Sequence, residues 1–354
     1  GVEFDINNDF VWEEPNDHFL HHELIQLPNG NYMGLIEATI LGPIPQGTWT
    51  PLFQMQGYQA NGIPEFPWVG DKIVIWDKDT KEIIWQWNSF YHFSMQDYDT
   101  LSDSWFQALS LGRYDWTHAN ALYPTYDENE NLEYVYISSR HLSRITKIDV
   151  SNGNIVWNMG LEMPSGDVHC GQDILFSFQH SITVTEEGNI VTLDNGNLSQ
   201  ALLDVEYPTT RGLEIEIVEN ENGCETNILW EYSLPEEYFG YASGNVQKLE
   251  NGNYLIVTVG SGGTALEVNS QNNHIWEGEL NLQFPAGAVY RANRVSGLYP
   301  VAFSTIIHDA FYDAEVLFVD NNNNNIEFTL YNEGSSNEVY TIYINPDNQN
   351  GYTL

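Results

Sequence analysis

The sequence predicts an all-β chain: a six-bladed β-propeller, with five or seven blades still open, and a β-rich C-terminal extension. Three observations lead there. A strand–turn–strand unit recurs as "HELIQLPNGNYMGL" (22–35), "HSITVTEEGNIVTL" (180–193) and "GNVQKLENGNYLIV" (244–257). A second unit follows each copy and ends in a strand bearing Trp85, Trp157, Trp230 or Trp276. Helical periodicity is almost absent.

Taken in order, residues 22–35 form a hairpin because the Asn-Gly turn supplies a residue that tolerates positive φ between two runs of alternating apolar side chains. "WDKDTKEIIWQW" (76–87) is its partner unit. "HANALYPTYDENENLEYVYI" (118–137) is a further copy with a longer acidic tip, completed by "IDVSNGNIVWNM" (148–159). Residues 180–193 pair with "IEIVENENGCETNILWEY" (215–232), and 244–257 with "LEVNSQNNHIWEG" (266–278). Two hairpins make one four-stranded antiparallel sheet, and such sheets in series make blades. Each terminal tryptophan is expected to fill the space between neighbouring blades. Residues 92–117, 161–179 and 281–310 are expected to hold further short strands. From residue 311 the character changes to strand, Asn-rich loop 321–325 and strand. The expected division is a propeller over 1–310 and a closing blade or small β module over 311–354.

Charge limits the partners. Fifty Asp and Glu stand against 11 Lys and Arg, so 11 − 50 gives −39 with His neutral. Such a surface repels phosphate backbones and anionic bilayers, which argues against nucleic acid and membrane partners. It suits salty water of marine type, where repulsion is screened over roughly 10 Å. A hydrophobic content of 42% and aromatic content of 14% can bury a large core, so the chain is not disordered. No run approaches the roughly 20 apolar residues of a membrane-spanning helix. The first residue is Gly1 and no signal peptide is visible, the expectation for a mature or trimmed form. Cys170 and Cys224 allow one disulfide or two buried thiols.

His22, His118 and His180 each stand at the first residue of an innermost hairpin, and His22 and His180 both precede their turn glycine by eight residues. Inner strands of a propeller converge on its axis, so the three imidazoles are expected to face one hollow. The plainer alternative is a polar residue at each strand start for solubility. Arg113, Arg140, Arg144, Arg211, Arg291 and Arg294 lie near these starts or the strands that follow. They fit a positive pocket for an anion, since a guanidinium binds sulfate, phosphate or carboxylate through two parallel hydrogen bonds. Pairing with the many carboxylates is the competing reading. His21 and His22, as strand neighbours, should point to opposite faces and share no metal. His92, His141, His169, His274 and His308 read as ordinary residues, with His141 near the rim. Residues 320–327 and 345–351 carry oxygen ligands at calcium-like spacing without the full loop pattern. No other metal or cofactor is expected.

"DWTHANAL", "ISSRHLSRITKIDVSNGNIVW", "FSFQHSITVTEEGNIVTLDNGN", "RGLEIEI", "GNVQKLENGNYLIV" and "VYRANRVSGLYP" together resemble the bacterial arylsulfate sulfotransferases, over roughly residues 70–300. The resemblance implies a secreted or periplasmic six-bladed propeller. Its activity would be transfer of sulfate between phenols without a nucleotide cofactor, through a histidine surrounded by other histidines, an asparagine and an arginine. Carried over by motif, His118 and Asn120 come from Thr-His-x-Asn, His180 from Gln-His, and Arg211 from the arginine ahead of "LEI". His118, His180 and Arg211 would be catalytic; Asn120, Arg140, His22, Tyr241 and Arg291 would bind the aryl sulfate. The pattern departs at one place. Where the family's nucleophilic histidine belongs, this chain reads "YFGYASGNVQKL" (238–249), with Ala242, Ser243 and Gly244. Either His118 or His180 takes the sulfuryl group, or the transfer chemistry is lost. Two other functions fit the same residues. One is a lyase or lectin-like propeller for acidic saccharides, with Tyr238 or Tyr241 beside His118; the other is an inactive scaffold.

Overall fold

The computed structural model describes residues 1–5, 7–15, 20–220, 223–282, 289–295, 303–308, 310–313, 316–319 and 328–332. The chain divides into two compact units, Gly1–Ala292 and Asn293–Leu354.

The first unit opens with a small antiparallel pair, β1 (Val2–Phe4) and β2 (Phe10–Glu13). Four antiparallel sheets follow in chain order. The first holds β3 (Leu20–Gln26), β4 (Tyr32–Pro43), β5 (Pro64–Trp76) and β6 (Ile83–Asn88), with the short β7 (Tyr114–Asp115) parallel to β5. The second holds β8 (Ala119–Tyr126), β9 (Leu132–Ser139), β10 (Arg144–Asp149) and β11 (Ile155–Gly160). The third is β12 (His180–Val184), β13 (Ile190–Asp194), β14 (Arg211–Asn220) and β15 (Gly223–Ser233). The fourth is β16 (Asn245–Lys248), β17 (Tyr254–Thr258), β18 (Thr264–Val268) and β19 (His274–Glu279). Apart from β7, every strand of these four sheets pairs with its neighbour in sequence, as in a propeller blade.

The turn chemistry acts as expected: Gly30, Gly188 and Gly252 take φ of 85°, 88° and 80° at the tips of the three short first hairpins. First strands of successive sheets pack on one another, β3 on β8, β8 on β12 and β12 on β16. The cores lie between sheets. One gathers Met33, Leu35 and Ile73 with Leu122, Val135 and Ile137, and the next gathers Ile145 and Trp157 with Ile190, Leu213 and Ile215. Terminal tryptophans cross these gaps. Trp85 Nε1 donates to Val150 O at 3.1 Å, Trp157 Nε1 to Glu219 Oε1 at 2.9 Å, and Trp230 stacks on Tyr254 at 3.6 Å. Trp276 differs, with 48% of its surface exposed.

Two expected stretches of strand are otherwise. Residues 92–117 carry the helix α1 (Ser104–Leu111) and β7, and 161–179 is irregular apart from a bridge between Met159 and Cys170. The helix forms because Trp105 and Ala108 on one side bury against Trp49, Trp68 and Tyr114. Eight residues are too few for a period to show in the sequence. Between these segments Arg144 and Asp97, both fully buried, meet at 2.6 Å. Asp97 also accepts from Ser165 N at 2.9 Å and Ser165 Oγ at 2.6 Å, and its carbonyl takes Trp116 Nε1 at 2.6 Å.

Cys170 and Cys224 form a disulfide across a sequence separation of 54, tying the irregular segment to β15. A loop of that size constrains the unfolded chain strongly, so the Cys170→Ala/Cys224→Ala variant is expected to lose about 2–4 kcal/mol in chemical denaturation. No loss would mean that the irregular segment is held by its hydrogen bonds alone.

The second unit contains two described strand pairs: Phe303–Ile307 with Phe328–Asn332, and Ala310–Asp313 with Val316–Val319. The calcium-like stretches 320–327 and 345–351 lie outside the described residues. Among the described residues no helix is long and apolar enough to cross a membrane.

Candidate functional site

At the head of each sheet's first strand the backbone leaves the extended conformation. His22, His118, Ser181 and Ser243 take φ of 59°, 46°, 65° and 57°. Left-handed non-glycine residues cost on the order of 1–3 kcal/mol each, and they concentrate at functional sites. Register shifts accompany the first three, between His21 and Leu24, Ala119 and Ala121, and His180 and Ile182. Such bulges re-aim side chains. This is why the alternation argument fails for His21 and His22: their Nδ1 atoms lie 2.7 Å apart instead of on opposite faces.

His118 is the centre of the cluster. Its Nδ1 is 2.6 Å from Asp115 Oδ2, which places the proton on Nδ1 and the lone pair on Nε2. Its ring lies 5.2 Å from that of His22 and 4.7 Å from that of His141. His141, read as an ordinary residue from sequence, belongs to the site. Its Nδ1 donates to Asp115 O at 2.6 Å, and its Nε2 accepts from Arg140 NH1 at 2.7 Å. Arg140 also donates to Tyr241 O at 3.2 Å and lies over the Phe178 ring at 4.4 Å. Both hydrogen-bond partners are neutral; burial lowers the guanidinium to about 10, and the charges of Asp115 and Asp99 oppose that.

His180 approaches from the third sheet, 3% exposed, with Nδ1 bound to Asn195 Oδ1 at 2.7 Å and to Phe178 O at 3.2 Å. Its Nε2 therefore also carries the lone pair. Asn195 Nδ2 donates on to Gly240 O and to Ser243 O at 3.0 Å, which ties the third sheet to the turn before the fourth. The segment Val289–Ala292 completes the surround. Tyr290 stands 5.8 Å from His22, Tyr290 O accepts from Gly244 N at 2.8 Å, and Ala292 N donates to Asn245 Oδ1 at 3.0 Å.

Other expected site residues stand differently. Asn120 is wholly buried; its Nδ2 donates to Gln179 O at 2.7 Å, and its carbonyl accepts Tyr290 Oη at 3.1 Å and Arg291 NH2 at 2.7 Å. Arg291 grips Glu23 through 2.7 and 3.0 Å contacts. Arg211 is buried on the third sheet's third strand, with Nε 2.8 Å from Asp194, NH1 3.4 Å from Glu231 and NH2 on Ile174 O. Arg113 meets Glu37 at 3.2 Å and Arg144 meets Asp97. Carboxylate pairing thus accounts for the exposed Arg113 and for Arg144, Arg211 and Arg291, whose more buried guanidiniums need a counter-ion, and Arg140 is the arginine that stands among the imidazoles. Tyr241 offers its carbonyl to Arg140, while its ring is 40% exposed. Tyr238 Oη is bound to Glu277 at 2.6 Å, which removes it as a free base beside His118.

Gly244, eight residues before its turn glycine as His22 and His180 are, explains the missing fourth histidine. Its φ is +91°, and a Cβ there would lie 2.4 Å from Val257 O. No side chain fits on this backbone.

Three of the imidazoles, those of His22, His141 and His180, are held neutral. His22 is lowered to about 4, first by burial of its surroundings although its outer edge stays exposed, then by the charges of His118 and His21, with Asp71 opposing. His141 is lowered to about 4 by burial and then by His118. His180 lies well below 6.5 through burial and then Arg140. Burial pushes the Asp115 carboxyl up, but its hydrogen bond and charge interaction with His118 outweigh this and hold it well below the usual range. The sign is the same for all four groups, since folded values are depressed: the stabilisation from the three imidazoles is complete above their ordinary value and is lost as pH falls toward 4, while that from Asp115 is lost only below the ordinary carboxylate range. Melting temperature is expected to fall over that window. The fall should be shallower in His141→Asn, which separates imidazole titration from that of surface carboxylates. An unchanged slope would show that His141 is not held neutral.

Asp115, His118 and His141 place three metal-capable atoms within 4.8 Å of one another. Hydrogen bonds already engage His118 Nδ1 and both nitrogens of His141, the latter with a guanidinium as partner. His141 therefore has no ring nitrogen left for a metal, which leaves the Asp115 carboxylate and His118 Nε2.

Comparison with known proteins follows this geometry. The arylsulfotransferase (ASST) family model matches residues 43–293. No curated protein matches the chain significantly. Among solved structures it is similar to a protein of unknown function from Bacteroides caccae, at 15% identity over 74% of this chain and 69% of that one, with a TM-score of 0.34. It is also similar to the Dos1 propeller, at 10% identity over 75% of this chain and 64% of that one, with a TM-score of 0.29.

Proposed function

The chain belongs to the arylsulfotransferase family, and from that premise we propose that it moves a sulfuryl group from an aryl sulfate to a phenolic acceptor, without a nucleotide carrier, through His118. The observation that carries this reading is the Asp115–His118 pair, set among neutral imidazoles and beside the cation of Arg140.

In the first half, the Nε2 lone pair of His118 forms a bond to sulfur as the bond from sulfur to the aryl oxygen breaks, releasing a phenolate. Asp115 steadies the charge that develops on the ring. Arg140 faces the sulfuryl oxygens, the positioning and charge stabilisation that a loose transition state requires. In the second half, the acceptor oxygen bonds to sulfur, the sulfur–nitrogen bond breaks, and the phenol proton passes to a neighbouring neutral imidazole.

Six blades around one axis would bring these groups together, supported by the packing of β3, β8, β12 and β16 in series. The Cys170–Cys224 disulfide supports a secreted or periplasmic, oxidising location. The test is incubation with 4-nitrophenyl sulfate and phenol. Nitrophenolate released in step with phenyl sulfate is expected; release without sulfated phenol, or no release, would refute the transfer.

A further inference from the structure

We propose that Asp71, His21 and His22 form a proton relay whose end, His22 Nε2, takes the proton of the acceptor phenol. The proposal rests on the transfer reading above and assigns its missing base.

The Asp71 carboxylate beside His21 selects one set of tautomers. Asp71 is 3% exposed, and its Oδ2 accepts from the Thr117 hydroxyl and from Ala119 N at 2.6 Å. Its Oδ1 lies 3.0 Å from His21 Nε2, off the direction of the ring N–H, so the contact is electrostatic more than an aligned hydrogen bond. A carboxylate there still favours the proton on His21 Nε2, which leaves His21 Nδ1 as an acceptor in the neutral ring. The atom 2.7 Å from that acceptor is His22 Nδ1, which must then be the donor. His22 Nε2 is left with a lone pair, and the His22 ring sits beside His118 and Tyr290.

The charged and titratable neighbours of His22 are His21 on its own strand, Asp71 on β5, His118 just before β8, His180 at the start of β12, and Tyr290 with Arg291 on the closing segment. In the free site burial, with the nearby Arg291 cation, keeps His22 neutral. A sulfuryl group on His118 brings negative charge alongside and makes His22 a stronger base when the acceptor arrives. As the acceptor oxygen bonds to sulfur and the sulfur–nitrogen bond breaks, its O–H proton moves to His22 Nε2. The Nδ1 proton of His22 can shift to His21 Nδ1, and Asp71 neutralises the charge; the proton then leaves to water. Asp71 and His21 act through His22 and are positioning residues.

The experiment compares two acceptors within each variant, phenol and pentafluorophenol, the latter already ionised at neutral pH. In His21→Gln, Asp71→Asn and His22→Gln, the ratio of transfer to phenol over transfer to pentafluorophenol is expected to fall about 10²-fold relative to the parent. The ratio does not depend on how much of a variant is folded. Equal losses for both acceptors would overturn the relay. Imidazole ¹⁵N shifts of the parent provide the second readout: His22 protonated on Nδ1 and His21 on Nε2 are expected, and His22 protonated on Nε2 overturns the relay whatever the chain transfers. A parent that shows the expected tautomers but sulfates neither acceptor refutes the transfer reading instead.

Discussion

His118→Ala is expected to lower kcat for sulfuryl transfer by about 10⁴-fold or more while the chain stays folded. The side chain is 30% exposed, so its removal opens no buried cavity. His118→Gly is the companion variant, because glycine accepts the φ of 46° at this position without strain. It should be equally inactive, and free imidazole in the buffer should restore part of its turnover. In the parent, rapid quenching after mixing with donor alone should leave one SO₃ group on His118. Asp115→Asn keeps the shape but removes the carboxylate that selects the Nε2 lone pair, and about 10²–10⁴-fold of kcat should go with it. If His118→Gly keeps its activity, the nucleophile is His180, whose Nε2 also carries a lone pair.

Asp97→Ala carries the largest expected stability effect, about 3–5 kcal/mol. It leaves Arg144 as an unpaired charge with no exposed surface, already without described partners at Nε and NH1. It also removes the acceptor for Ser165 N and Oγ. The measurement is urea or guanidinium denaturation. Adding Arg144→Met to Asp97→Ala should recover part of the loss, since the buried charge then disappears with its partner. A loss below about 1 kcal/mol in the single variant would mean that water reaches the guanidinium.

Much of the fold was legible because its signals are local. Asn29-Gly30 and Asn251-Gly252 mark turns within a few residues, and Trp85, Trp157 and Trp230 mark fourth strands by size alone. The starts of the first strands were legible to within two residues: His180 opens β12, His118 immediately precedes β8, and His22 is the third residue of β3. The rest depends on distance and on backbone detail. Asp71 precedes Thr117 and Ala119 by more than forty residues and meets them only because β5 runs beside the head of β8. His21 was misplaced because strand alternation does not survive a left-handed residue at His22. The arginines misled through composition: in so acidic a chain, a guanidinium near a strand start is more readily captured by a carboxylate than kept for a ligand, as Glu23, Glu37, Asp97 and Asp194 show. Tyr290 and Asn195 lie within "VYRANRVSGLYP" and "FSFQHSITVTEEGNIVTLDNGN", yet nothing in those stretches marks them as site residues.

Gly244 has a bearing on the history of the chain. A lineage that lost an axial imidazole here could not regain it by a single codon change, since main-chain atoms of the adjoining strand now fill the volume a new side chain would occupy. Reversion would require the strand start to be rebuilt first.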